Sequence, residues 1–102
     1  MLRSLLYVPG DQPRKVQKAL TEVPADAVIL DLEVAIAISA KIATRSLVVA
    51  ALQVVRRPKA YVRVNGIDTA WFFGDIKAVV GPGLDGVVLP KADRAEALRR
   101  CT

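Results

Sequence analysis

Histidine is absent from the 102 residues of this chain, and cysteine occurs once, at Cys101. Without histidine, these residues cannot build a zinc site of mixed histidine and cysteine ligands, or pair histidine with a serine or cysteine nucleophile. A single cysteine cannot form a disulfide within the chain. Any metal ion held by these residues would therefore be a hard cation bound through oxygen atoms.

Long hydrophobic runs are also missing. No apolar stretch approaches the roughly 18 residues that a membrane-spanning helix needs, and the first residues contain no small-residue cleavage site. Hydrophobic residues nevertheless make up 53% of the chain, which is above the range of disordered proteins. We therefore expect one folded, soluble, cytoplasmic domain with no membrane association.

Acidic residues are outnumbered, with 10 against 15 basic residues and a net charge of +5. This balance favours an anionic partner, either a phosphate-bearing small molecule or a nucleic acid. Proteins that bind single-stranded nucleic acid place aromatic side chains between their cations. Here Trp71, Phe72 and Phe73 are clustered in a predicted helix instead. We therefore expect no nucleic-acid partner.

Strand-like and helix-like segments alternate four times along the chain. Continuous apolar runs that end at turn residues predict strands over 5–8, 27–32, 60–64 and 86–89. A first helix follows Asp11 as the N-cap, with Pro13 in its first turn. Further helices are predicted from the cap residue Ser39 to about residue 55, over 68–80, and from Asp93 onwards.

The alternation indicates an α/β protein with a parallel sheet, since uninterrupted apolar strands are typical of strands covered on both faces. The strands begin near residues 5, 27, 60 and 86, close to the ~31-residue unit of a (β/α)8 TIM barrel. An open doubly wound sheet is the alternative, but "VPGDQPRK" has one glycine where that fold carries a glycine-rich loop. We therefore predict four βα units of a (β/α)8 barrel, which is half of one.

Polar side chains collect where the predicted strands end. Asp31 and Glu33 lie at the end of the second strand, Arg63 and Asn65 at the end of the third, and Lys91 after the fourth. Alternation along a strand places each pair on one side. Because barrels and open α/β sheets both carry their active sites at the carboxyl ends of the strands, we expect a binding site at this edge.

Arg63 is the most informative of these side chains, because a guanidinium in an apolar strand is costly to bury without an anion. Its planar fork suits a substrate carboxylate. An ion pair with Asp31 or Glu33 on the neighbouring strand is the structural alternative. Both interpretations can hold together, since a carboxylate partner can orient an arginine that a substrate then contacts.

The segments "RSLLYVPGD", "AVILDLE", "YVRVNGIDTAW" and "DGVVLPKAD" resemble, in order and spacing, the citrate lyase beta-subunit-like proteins of the HpcH/HpaI aldolase family. The resemblance covers nearly the whole chain. It implies that residues 1–102 are the N-terminal half of a (β/α)8 barrel. The activity implied is carbon–carbon bond cleavage or formation in acyl thioesters such as (3S)-citryl-CoA or malyl-CoA, with Mg²⁺ holding the oxoacid fragment.

The resemblance also implies roles for seven residues. Arg63 and Glu33 correspond to substrate-binding positions, with Arg63 on the substrate carboxylate. Five positions correspond to contacts with coenzyme A, namely Tyr7, Arg14, Lys18, Lys41 and Arg45. Cations near helix N-termini suit the several phosphate charges of this cofactor.

The chain departs from the family pattern in two ways. Val34 stands where the family usually has a second acid. In relatives, the two carboxylates that bind Mg²⁺ follow the fifth and sixth strands, so the resemblance places them after Thr102. A mobile segment that supplies an acidic catalytic group would also come later. We therefore expect no metal ligand and no catalytic residue within this chain.

A half barrel would leave two strand edges and an apolar face uncovered. We therefore expect homo-oligomers or a partner that completes the barrel. Two functional hypotheses remain open at this point. The chain is either part of a Mg²⁺-dependent lyase that is inactive alone, binding an acyl-CoA or oxoacid, or a non-catalytic remnant or assembly module that pairs with another half barrel.

Overall fold

The computed structural model describes residues 4–54, 56 and 58–90. Their centre is a sheet of four parallel strands that lie side by side in chain order. The strands are β1 (Leu5–Pro9), β2 (Ala27–Asp31), β3 (Lys59–Arg63) and β4 (Gly86–Val88). The parallel sheet predicted from the apolar runs is confirmed.

Three α-helices connect these strands: α1 (Pro13–Thr21), α2 (Lys41–Leu52) and α3 (Phe72–Val79). A short 3₁₀ turn, Ile38–Ala40, leads into α2. Within the described ranges, each helix falls short of the length and apolar character that a membrane crossing requires.

The helices form one layer on one face of the sheet, because α1 packs against α2 and α2 against α3 while the strands advance in order. Alternate strand residues point into this layer and form the core with the buried helix faces. The core comprises Val8, Val16, Ala19, Leu20, Val28, Leu30, Leu32, Val48, Leu52, Ala60, Val62, Val64 and Val79. This winding is that of part of a (β/α)8 barrel; a doubly wound sheet would reverse its strand order.

The opposite face of the sheet corresponds to the barrel interior, and we call it the interior face. Tyr7, Ile29 and Tyr61 lie level with one another across β1, β2 and β3 on this face. In β1, Leu5 is 53% exposed and Tyr7 is 49% exposed. No helix of the described part of the chain covers them.

The helix starts differ from the sequence predictions. Gln12 is the N-cap of α1, and the Asp11 side chain does not cap it. Ser39 lies in the 3₁₀ turn, so α2 begins after it at Lys41. The third helix begins at Phe72 and not at Asp68, because residues after Gly66 form turns first. The helix predicted from Asp93 lies outside the described residues.

Polar contacts join the residue before β4 to β3 at the amino ends of the strands. Asp85 precedes β4, and its carboxylate accepts hydrogen bonds from the backbone N–H of Ala60 at 2.8 Å and from Arg56 at 3.2 Å. The hydrogen bond from Ala60 chiefly holds the pKa of the Asp85 carboxyl below its usual range, with Arg56 adding to the effect. This edge stabilises the fold and lies opposite the predicted binding site.

Candidate functional site

Asp31 and Arg63 form an ion pair at the carboxyl edge of the sheet. They end β2 and β3 and are register partners. Arg63 Nε donates to Asp31 Oδ1 over 2.9 Å. The predicted pairing of Arg63 with a strand-end acid is therefore confirmed. The hydrogen bond to Asp31 is the main cause that raises the pKa of the Arg63 guanidinium above its usual value. Arg63 is therefore cationic at any physiological pH.

The Asp31 carboxylate accepts three hydrogen bonds from its neighbours. Besides Arg63, Oδ1 accepts the backbone N–H of Glu33 at 2.9 Å, and Oδ2 accepts that of Ala35 at 2.9 Å. Burial alone would raise the pKa of the Asp31 carboxyl, but the hydrogen bonds from Arg63, Ala35 and Glu33 outweigh it and leave the pKa below its ordinary value. Asp31 is thus a fixed anion that orients Arg63.

Glu33 lies beside the same guanidinium at a longer distance. Its Oε1 is 3.8 Å from Arg63 Nε, and its side chain is 29% exposed. Within the described ranges, no side chain or backbone group donates a hydrogen bond to this carboxylate. The structure therefore brings the two predicted substrate-binding residues, Arg63 and Glu33, together at one edge.

The Arg63 side chain also contacts a residue of the first strand. Its Cζ atom lies 4.8 Å from the centroid of the Tyr7 ring, which is two strands away from β3. No described residue accepts a hydrogen bond from either Nη1 or Nη2. The terminal N–H groups of the guanidinium therefore have no acceptor among the described residues, whereas Nε donates to Asp31 and the Tyr7 ring lies beside Cζ.

Lys41, a predicted coenzyme A contact, is buried beneath this edge. It is 6% exposed, and its Nζ donates to the carbonyls of Leu32 at 3.2 Å and Glu33 at 2.9 Å, and to Asn65 Oδ1 at 2.8 Å. These three acceptors match the three donors of an ammonium group. Its Nζ also lies 5.5 Å from the Trp71 ring centroid. In this arrangement Lys41 ties α2 to the strand ends.

Asp75 anchors the other half of the same buried network, and the sequence analysis missed it. It is fully buried; its Oδ1 accepts from Arg45 Nε at 2.9 Å, and its Oδ2 accepts from Asn65 Nδ2 at 2.6 Å. Arg45 also donates to the carbonyl of Trp71 at 3.2 Å. An acid inside the apolar run "WFFGDIKAVV" was the available signal. Arg45, predicted to contact coenzyme A, is thus paired with α3.

Arg14 and Lys18 are exposed on α1, one helical turn apart. Neither side chain pairs with another described residue. Because α1 starts directly after β1, Arg14 lies near the carboxyl edge of the sheet. Lys91, the strand-end cation predicted after β4, lies outside the described residues.

The described residues contain no group of three or more acidic or sulfur-bearing side chains that could hold a metal ion. Both Asp31 oxygens are already used by hydrogen-bond donors, one of them a guanidinium. Glu33 and Asp11, in the loop after β1, keep carboxylate oxygens that accept no hydrogen bond from a described residue, the Oδ1 of Asp11 being buried.

Comparison with known proteins identifies the family. The model of the HpcH/HpaI aldolase/citrate lyase family matches residues 3–102. The chain belongs to this family. The family resemblance carried by the four sequence segments is thereby confirmed.

Curated members of the family show substantial identity over most of the chain. The (3S)-malyl-CoA thioesterase of Cereibacter sphaeroides is 41% identical over 98 residues, covering 94% of this chain and 34% of that protein. Citrate lyase subunit beta of Leuconostoc mesenteroides is 40% identical over 95 residues, covering 91% of this chain and 31% of that protein. The chain thus spans about a third of the length of these relatives.

Solved family structures share the fold. CitE from Mycobacterium tuberculosis, in complex with magnesium, acetoacetate and coenzyme A, gives a TM-score of 0.73 at 34% identity, covering 90% of this chain and 33% of that one. The citrate lyase beta subunit of the same organism, with oxaloacetate and magnesium, gives 0.72 at 34% identity, covering 96% of this chain and 42% of that one. The barrel-type architecture is confirmed by these neighbours.

Proposed function

We propose that residues 1–102 form the N-terminal half of a (β/α)8 barrel enzyme that acts on citryl-CoA-like or malyl-CoA-like thioesters, and that Arg63 binds the carboxylate of the oxoacid fragment. The observation that carries this proposal is the Arg63 guanidinium, fixed through Nε at 2.9 Å from Asp31 while its terminal N–H groups have no acceptor among the described residues. Relatives solved with oxaloacetate or acetoacetate support the ligand class.

The chemistry of this edge suits an oxoacid carboxylate. Two parallel N–H groups of one guanidinium can form a bidentate pair with a carboxylate, which fixes orientation as well as charge. Asp31 holds the side chain in place before the ligand arrives, so little side-chain entropy is lost on binding. Glu33 borders the same site and limits how a second anionic group could approach Arg63.

Coenzyme A binding is proposed to involve the exposed cations of α1. Arg14 and Lys18 have no partners among the described residues, so both are available for the phosphate groups of the cofactor. The contacts predicted for Tyr7, Lys41 and Arg45 stay predictions. Lys41 and Arg45 would have to bind the cofactor while keeping the hydrogen bonds that they already form.

Relatives solved with magnesium support Mg²⁺ as the metal of the whole enzyme, and the family resemblance places its ligands after Thr102. The proposed contribution of this chain is therefore to bind and orient substrate. No proton-transfer or bond-breaking role is assigned to its residues.

Calorimetric titration of the full chain with oxaloacetate and, separately, with coenzyme A tests the proposal. Arg63→Met is expected to weaken oxaloacetate binding by about 100-fold, because an ion pair is lost, and to leave coenzyme A affinity unchanged. Arg63→Lys keeps the charge but loses the fork, so it should recover only part of the affinity. Lys77→Met, which removes an exposed cation from α3, is the matched control.

The opposite selectivity is expected for the α1 cations. Arg14→Met and Lys18→Met should weaken coenzyme A binding and spare oxaloacetate. Equal loss of both ligands in Arg63→Met would contradict the assignment of Arg63 to the oxoacid.

A non-catalytic assembly module is the alternative, and the exposed interior face supports it. Leu5 and Tyr7, at 53% and 49% exposure, would be covered by another half barrel. The intact mass of the native polypeptide separates the two proposals. A species of about 27 kDa, the size of a whole barrel, supports the enzyme. A species at the 11.0 kDa of this sequence supports the module.

A further inference from the structure

The position of the Arg63 guanidinium depends on a residue of the first strand. Arg63 belongs to β3, and Tyr7 belongs to β1, two strands away. The Arg63 guanidinium lies beside Asp31 of β2, with Nε 2.9 Å from Oδ1, and its Cζ is 4.8 Å from the Tyr7 ring centroid. Side chains of both β1 and β2 therefore contact the guanidinium.

The two contacts occupy different parts of the guanidinium. Asp31 accepts from Nε in the plane of the group, whereas an aromatic ring attracts the cation through its face. The in-plane edge that carries Nη1 and Nη2 is left open for a carboxylate. The Tyr7 ring therefore contacts the guanidinium while no described residue accepts a hydrogen bond from Nη1 or Nη2.

Tyr7 also lies on the face of the sheet opposite to the one that α1 covers. It faces the interior, level with Ile29 and Tyr61, whereas α1 packs on the opposite face through Val16 and Leu20. Tyr7 and the packed face of α1 therefore lie on opposite faces of the sheet, although Arg14 at the start of α1 lies near the same carboxyl edge.

We propose that Tyr7 is a positioning residue of the oxoacid site, acting through Arg63, in place of the coenzyme A contact that the family resemblance implies. This inference rests on the proposed function of Arg63. Tyr7 sets the angle at which the guanidinium meets the substrate carboxylate, so it contributes to oxoacid affinity and leaves coenzyme A affinity unaffected.

The first test compares Tyr7→Phe and Tyr7→Leu in the full chain, with oxaloacetate and coenzyme A titrated separately. Tyr7→Leu is expected to raise the Kd for oxaloacetate by about 3- to 30-fold, the range of a lost cation–π contact. Tyr7→Phe keeps the ring and should stay close to the original affinity. Coenzyme A affinity should be unchanged in both variants.

Tyr61→Leu is the matched control. Tyr61 lies in the same row of the interior face and loses the same aromatic ring, but its ring lies against Gly86, and the cation–π contact of Arg63 in the described part of the chain is with Tyr7. Tyr61→Leu should therefore leave oxaloacetate affinity near that of the original protein. An equal loss in the Tyr61 and Tyr7 variants would overturn the inference, because it would indicate general damage to the interior face.

A series of fluorinated phenylalanines at position 7 keeps the shape of the ring while weakening its attraction for a cation. The Kd for oxaloacetate should rise with each added fluorine, which a purely structural role would not produce. A flat series would overturn the inference even if Tyr7→Leu failed to fold. So would weakened coenzyme A binding with oxaloacetate binding intact.

Arg63→Met separates failure of this inference from failure of the proposed function. If Arg63→Met abolishes oxaloacetate binding while the fluorinated series is flat, only the role of Tyr7 is wrong. If Arg63→Met leaves oxaloacetate binding intact, both proposals are wrong.

Discussion

Arg45 Nε donates to Asp75 Oδ1 over 2.9 Å across the interface of α2 and α3, and Asp75 is fully buried. The other oxygen of Asp75 accepts from Asn65 at the end of β3. One carboxylate therefore connects two helices to the carboxyl edge of the sheet. Lys41 extends this network to the carbonyls of Leu32 and Glu33.

Removing the carboxylate should be strongly destabilising. Asp75→Ala leaves Arg45 and Asn65 without their acceptor, and breaking a buried ion pair from one side costs about 3–5 kcal/mol. Urea denaturation with an unchanged m-value measures the loss. Asp68→Ala, at an exposed acid of the preceding turn, is the control and should stay within about 0.5 kcal/mol of the original protein. A loss below about 1 kcal/mol for Asp75→Ala would contradict the structural role.

The effect of Gly74→Ala on the free energy of unfolding should have opposite signs with arginine and with alanine at position 45. A Cβ at Gly74 would lie 2.6 Å from Arg45 Cζ, so the guanidinium would be forced away from Asp75. Loss of the ion pair costs about 3–5 kcal/mol, and the higher helix propensity of alanine recovers about 1 kcal/mol of this. The expected net destabilisation is therefore about 2–4 kcal/mol. In an Arg45→Ala background, the same substitution should stabilise by roughly 0.5–1 kcal/mol. A double-mutant cycle measures this, and the same sign in both backgrounds would show that Arg45 does not fill the space beside Gly74.

The stabilisation that Asp31 provides should depend on pH with a defined sign. The pKa of its carboxyl is lowered in the folded protein, so its contribution is complete above the unfolded pKa of about 3.9. This contribution to stability is lost as the pH falls from about 3.9 through the lower pKa that the Asp31 carboxyl has in the folded protein. The difference in unfolding free energy between the original protein and Asp31→Asn should therefore be constant from neutral pH to about 5 and shrink below about 4.

Asp85→Asn is the control for that experiment, because the pKa of the Asp85 carboxyl is also lowered but the residue lies at the opposite edge. For both variants, the difference in unfolding free energy from the original protein should shrink as the pH falls below about 4. Only Asp31→Asn should weaken oxaloacetate binding. A constant stability difference down to pH 2 would contradict the lowered pKa of Asp31, and unchanged oxaloacetate binding would contradict its support of Arg63.

The order of strands and helices was predictable because it depends on local patterns. Apolar runs such as 27–32 and the helical spacing of Val16, Ala19 and Leu20 fix which faces are buried, whatever lies elsewhere in the chain. The four sequence segments also identified the family, since they keep their order and spacing over nearly the whole chain. The pairing of Arg63 with a strand-end acid followed from the cost of burying a lone guanidinium.

Other features depended on distances between elements that are far apart in sequence. Lys41 has the pattern of an exposed helix cation, yet it is buried because carbonyls at the end of β2 and the Asn65 side chain surround its ammonium group. Only the packing of α3 on α2 turned Asp75 into the partner of Arg45. The sequence alone determined the strand ends that carry Asp31 and Arg63. The contact between Arg63 and Tyr7 was decided only by the order of the strands in the sheet, since it joins two strands that are not neighbours.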